Sequence, residues 1–119
     1  MYGLPPDLNL RFFKGLALNQ VCVGAHDVIL RFHPDTSLTI GSTMRFEPAE
    51  GEAVEIKDYR ATAGSLLGLI GHPVHRAHRT EEGALRLEWE QGDALELHDS
   101  SPHAESYTIR HGDSLLVVV

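Results

Sequence analysis

The sequence predicts a mainly β, α+β domain made of two similar units, each a short helix followed by about five antiparallel strands. Three observations predict it. Apolar and polar residues alternate with period two through most of the chain, the pattern of strands with one buried face. Turn-forming clusters of Gly, Pro, Asp and His separate the alternating runs. The pattern also reads twice, over residues 8–57 and 65–119. The first copy runs Gly15, Leu18, Val21, then Val28-x-Leu30-x-Phe32, Leu38-x-Ile40, Met44-x-Phe46 and Val54-x-Ile56. The second runs Gly71, Val74, Ala77, then Leu85-x-Leu87-x-Trp89, Leu95-x-Leu97, Tyr107-x-Ile109 and Val117-x-Val119. The positions that build a core repeat, whereas the polar positions do not.

In chain order, Pro5-Pro6-Asp7 opens the first unit, with Asp7 as the cap of a short helix through Leu8, Phe12 and Phe13 that ends at Gly15. Val21 to Val23 and Val28 to Phe32 read as strands, and His33-Pro34-Asp35-Thr36 as the turn into Leu38-x-Ile40. Met44-x-Phe46 and Val54-x-Ile56 follow, joined through Pro48-Ala49-Glu50-Gly51. The linker Lys57 to Gly64 joins the units and can start the second helix early. Ser65 is expected to cap that helix, which closes at Gly71. Neither helix is long enough to stand alone, so each must lay its apolar side on a sheet. The remaining strands turn at Glu90-Gln91-Gly92-Asp93 and Arg110-His111-Gly112-Asp113, and the chain ends in the apolar run Leu115 to Val119. Ten strands closed into a barrel would have no exposed edges, so a barrel-like domain is expected first and a pair of packed sheets second. The last strand is apolar enough to require a central place or a subunit contact, and an edge position would imply a homodimer.

At 119 residues the chain is read as one domain, able to bury roughly two-thirds of its unfolded surface. Ten basic against seventeen acidic residues give a net charge of −7, which opposes phosphate backbones and favours a basic protein partner over nucleic acid. No apolar run is long enough to span a membrane, and Met1 to Pro6 lacks the pattern of a secretory signal, so a cytoplasmic protein is expected. The lone Cys22, in Val21-Cys22-Val23, reads as a small buried or half-buried strand residue rather than a reactive thiol. Phosphate-cradling glycine loops, CxxC pairs, HExxH and EF-hand patterns are all missing, and no cofactor is expected.

The two copies differ most where the second carries six extra residues, because the offset between them rises from 57 (Ile40 to Leu97) to 63 (Phe46 to Ile109). The insertion falls in His98 to Glu105. His98, Asp99, Ser101, His103, Glu105 and the adjoining Tyr107 form the candidate binding set, in which Tyr107 also matches the core position Met44. Ser100 or Ser101 with His103 and Asp99 offers the residue types of a nucleophilic set, yet such sets assemble from distant segments on rigid supports. His98, Asp99, His103 and Glu105 offer metal donors without a recognised spacing. The loop therefore assigns no catalytic residue and no metal site. Its simplest reading is a polar loop bonded to its own backbone. A second histidine group, His72, His75 and His78, cannot converge from one strand without a bulge, and beside it Arg76 and Arg79 make a positive patch.

Leu66-Leu67-Gly68-Leu69-Ile70-Gly71, the hairpin from Trp89 to Leu95, and Glu105-Ser106-Tyr107-Thr108-Ile109 followed by His111-Gly112-Asp113 resemble a family of small uncharacterised bacterial proteins. The resemblance implies a bacterial protein of unknown function and transfers no catalytic residue. Charge and size then rank three readings. The first is a non-enzymatic protein-binding module such as an acidic immunity-type protein. The second is a small-molecule or metal-responsive module using the 98–105 loop. The third is an enzyme, which would need His103 or His111 within reach of a nucleophile or substrate.

Overall fold

A computed structural model describes residues 4–98 and 106–118. It contains ten strands: β1 Leu18–Val23, β2 Val28–Phe32, β3 Thr36–Ile40, β4 Met44–Glu47, β5 Val54–Ile56, β6 Val74–Arg79, β7 Leu85–Trp89, β8 Ala94–Leu97, β9 Tyr107–His111 and β10 Ser114–Val118. They form two antiparallel sheets, β1-β2-β3-β9-β10 and β5-β4-β8-β7-β6. The four turns expected from sequence join β2 to β3, β4 to β5, β7 to β8 and β9 to β10.

The barrel expectation fails. The two sheets remain separate, because β3 to β4 and β8 to β9 are crossings from one sheet to the other rather than hairpins. Three strands of the first half therefore sit beside the last two of the second half, and the reverse holds in the other sheet. The two crossings run together: Gly41 N donates to Ser106 O at 2.8 Å and His98 N to Thr43 O at 3.1 Å. Edges β1 and β6 are stitched where they begin. Gly15 N donates to Val74 O and Gly71 N to Leu18 O, both at 2.7 Å, around a bridge between Ala17 and Pro73. Among the described residues no such closure joins edges β5 and β10.

Alternation places the core as expected. Leu30, Leu38 and Ile109 from one sheet meet Met44, Leu87 and Leu95 from the other in a single buried cluster. Three of its aromatic members, with the adjoining Phe12, are linked in series. Phe12 stacks on Phe13 at 4.6 Å, Phe13 meets Phe32 edge-on at 5.7 Å, and Phe32 stacks with Trp89 of the opposite sheet at 6.5 Å. Trp89 Nε1 has no hydrogen-bond partner among the described residues.

The first helix is shorter than the sequence suggests and the second longer, and their caps differ. The first is a 3-10 turn, Arg11–Phe13, whose leading amide at Arg11 donates to Asn9 Oδ1 at 3.0 Å, so Asn9 and not Asp7 serves it. The linker does start the second helix early, as α1, Tyr59–Thr62, followed by a 3-10 helix Ala63–Leu69. Ser65 lies inside that helix and donates its hydroxyl back to Thr62 O at 2.8 Å. Three- and four-residue spacings both present Leu66 and Leu69 to the core, so the apolar pattern does not separate the helix types.

The 48–53 loop and the β7–β8 turn are tied by Asp93, which is 8% exposed. Its Oδ1 accepts from Ala49 N at 2.7 Å, and Oδ2 accepts from Gln91 Nε2. Asp93→Ala removes the partner of the Ala49 amide, which at an exposed residue turns to water instead, and is expected to cost about 0.5–1.5 kcal/mol. Urea denaturation of the two proteins measures it.

Candidate functional site

The structure divides the candidate set. Asp99, Ser101, His103 and Glu105 lie outside the described residues. His98 stands at the root of that loop, half-buried, with Nε2 at 3.5 Å from Glu96 Oε1. Tyr107 opens β9, is 1% exposed, and pairs with Ile40 and Val118 across its two neighbours. It is a core residue at the foot of the loop, as its match with Met44 suggests. The histidines of the other group are separated: His72 precedes β6, His75 is the extra residue of a bulge between Val74 and Arg76, and His78 lies 3.9 Å from Glu88. Among the described residues, no three His, Cys, Asp or Glu side chains are grouped to hold a metal. Arg79 leaves the expected positive patch, because its Nε donates to Leu4 O at 2.8 Å.

Sheet β5-β4-β8-β7-β6 carries a charge network on its outer face. Arg86 donates to Glu88 at 2.9 Å, to Glu96 at 2.8 Å and to Glu47 at 3.1 Å, while Arg45 reaches Glu55 at 3.1 Å. The hydrogen bond from Arg86 holds both the Glu47 and the Glu88 carboxyl below the ordinary carboxylate range. Carboxylates with lowered pKa values contribute stability that is fully present above their unfolded range and is lost as pH falls through the lowered values. Arg86→Met is expected to cost about 1–2 kcal/mol at pH 7 and to flatten the loss of stability under acid. Melting temperatures of both proteins between neutral and acid pH test this.

Sequence reasoning missed a cleft of about 380 Å3 lined by Leu8, Leu10, Phe12, Ile109, His111, Leu115 and Leu116 among others. It forms where the N-terminal segment lies along β9 and β10. β10 is an edge, and Leu115 on it is 54% exposed. The two-residue turn at Gly112 and Asp113 sets the register, pairing Ser114 with His111, Leu115 with Arg110 and Leu116 with Ile109. In such a ladder the closing pair is hydrogen-bonded and the next is not, so the amide and carbonyl of Leu115 and of Val117 point to the open side. The signal in the sequence was the apolar final run; the cleft depends on 109–116 meeting residues 8–12, which no local pattern reveals.

His111 lies at the cleft wall. Its ring stacks on Phe12 at 4.1 Å, its Nδ1 is hydrogen-bonded with Thr36 Oγ1 at 2.6 Å, and Asp35 Oδ1 stands 4.0 Å from the same nitrogen. Hydroxyl and carboxylate both address one ring nitrogen, whereas a nucleophile relay needs them on opposite nitrogens. Thr36 is only 2% exposed and so is closed to a substrate. The contact orients the imidazole against Phe12.

Comparison with curated proteins and with solved structures finds no match. A family model described as a family of unknown function matches residues 9–119, and on that match the chain belongs to the DUF6188 family.

Proposed function

We propose that this protein is a non-enzymatic protein-binding module, an acidic immunity-type protein of the bacterial cytoplasm. Its β10 edge takes an extended segment of a basic partner protein. The observation that carries the reading is the open edge at β10, with its outward backbone groups and exposed Leu115 beside an apolar cleft. An uncovered apolar edge invites another chain, and strand addition supplies both main-chain bonds and side-chain pockets. Charge selects the occupant. Asp7 and Asp113, both exposed, adjoin the lining residues Leu8 and Ser114; Arg110, exposed across from Leu115, opposes them locally, and the whole chain carries −7. A basic segment is steered toward that surface, while a second copy, the occupant of a homodimer, brings the same negative charge.

The same reading takes the chain as one domain of two related units, 8–57 and 65–119. Two matched features support it. Each first strand bulges against its neighbour at the same place, between Leu18 and Gln20 and between Val74 and Arg76. The strand order of one sheet also becomes that of the other when each strand is exchanged for its counterpart in the other unit.

The test is affinity capture from native source lysate with the wild-type chain and Leu115→Lys as baits. A basic protein recovered near one-to-one on wild type, weakened by salt and lost on Leu115→Lys, is the expected result. Equal recovery on both baits, or recovery of this chain alone, contradicts it.

A further inference from the structure

A second cleft, of about 330 Å3, lies on the stitched side of the fold and is lined by Arg11, Lys14, His75, Arg76 and Ala77. Three of its five lining residues are basic, a fourth is His75, and no carboxylate is among them. Two distant segments build it. Arg11 and Lys14 come from the first 3-10 turn and the residue after it, and His75 and Arg76 from the bulge that opens β6. Gly15 N bonded to Val74 O holds the two together. No side chain of Arg11, Lys14 or Arg76 is in an ion pair within 4.0 Å among the described residues. Glu88, the cross-strand neighbour of Arg76, feels its charge from beyond that distance, whereas Arg45 and Arg86 on the same sheet meet carboxylates within it.

The fold does not require this charge. At the corresponding place in the other half, the bulge carries Asn19 and Gln20, and the neighbouring 3-10 helix and the residue after it present Leu67 and Ile70, 54% and 41% exposed. The same backbone arrangement is therefore satisfied by neutral residues. Gathering like charges costs stability through mutual repulsion unless an anion offsets it, and in a chain of net charge −7 such a gathering is local and specific. Guanidinium groups suit phosphate oxygens through paired donors, an ammonium adds a mobile point charge, and the volume is that of a small-molecule site.

We propose that the cleft between Arg11, Lys14, His75 and Arg76 binds the phosphate groups of a small molecule. Arg11 and Arg76 hold phosphate oxygens from opposite walls, and Lys14 neutralises a further oxygen at the rim. The site is separate from the β10 edge and does not rest on the protein-binding reading.

The test titrates inorganic phosphate and pyrophosphate into the protein at fixed ionic strength, read by amide NMR shifts of residues 11–15 and 74–77. Saturable shifts confined to those residues are expected, with pyrophosphate the tighter of the two. Lys14→Gln and Arg76→Gln, both at exposed positions, should each weaken pyrophosphate at least tenfold without lowering the melting temperature of the free protein. Non-saturating shifts, shifts spread over the surface, or equal affinity in the variants would overturn the proposal.

Discussion

Phe13→Ala is expected to destabilise the protein by about 3–5 kcal/mol, a large part of the roughly 5–15 kcal/mol that holds a domain of this size folded. Phe13 is fully buried and stands in the middle of an aromatic series running from His111 through Phe12, Phe13 and Phe32 to Trp89. Truncation removes its own burial and also takes away the surface against which Phe12 and Phe32 pack. The cavity cannot collapse easily, because the 3-10 turn that carries Phe13 is pinned by Gly15 N bonded to Val74 O. Phe13→Leu keeps most of the volume and should cost less than half as much. Urea denaturation decides it; a loss under about 1.5 kcal/mol for alanine would mean the series contributes little. Because Phe12 also lines the cleft and carries His111, alanine at 13 should disturb the His111 resonance as well, whereas the leucine variant should not.

Leu115→Lys is expected to weaken the partner complex by at least about 2 kcal/mol, roughly 30-fold, while leaving the fold intact. Leu115 is 54% exposed at the rim of the β10 edge, so the free protein loses little by the change. A bound strand, however, would meet a charge in place of an apolar side chain, and a basic partner would be repelled. Val117→Pro addresses the backbone contribution separately. In the observed register the Val117 amide faces the open side and serves no bond within the sheet, so proline there removes only what the edge offers. Both variants should melt near wild type, and both should lose partner. Light scattering gives the mass of the free chain. A monomer is expected, and a dimer that Leu115→Lys splits would assign the edge to a second copy instead.

How much of this was legible depended on range. Alternation marked the buried face of β2, β3, β4, β7 and β9, and turn chemistry at 33–36, 48–51, 90–93 and 110–113 marked the four hairpins, because both act over a few residues. Period two states which face is buried but not against which strand. Met44 and Phe46 satisfy the same pattern beside β3 or beside β8, and only the crossing after Ile40 decides for β8. The expected barrel failed at that point. Tyr107 was placed correctly from its match with Met44, and Cys22 from its strand context. Neither cleft was visible, since one joins residues 8–12 to 109–116 and the other joins 11–14 to 75–77. The positive patch was half seen: Arg76 belongs to it, but Arg79 turns away to Leu4 O, and Arg11 and Lys14 take its place.

The most direct measurement is hydrogen–deuterium exchange of the protein with and without its captured basic partner, read at single amides along β10. The account predicts that the outward-facing amides of Leu115 and Val117, fast in the free protein, become strongly protected in the complex, with smaller changes at residues 8–12. Protection elsewhere on the surface, with Leu115 and Val117 still exchanging freely, would contradict it.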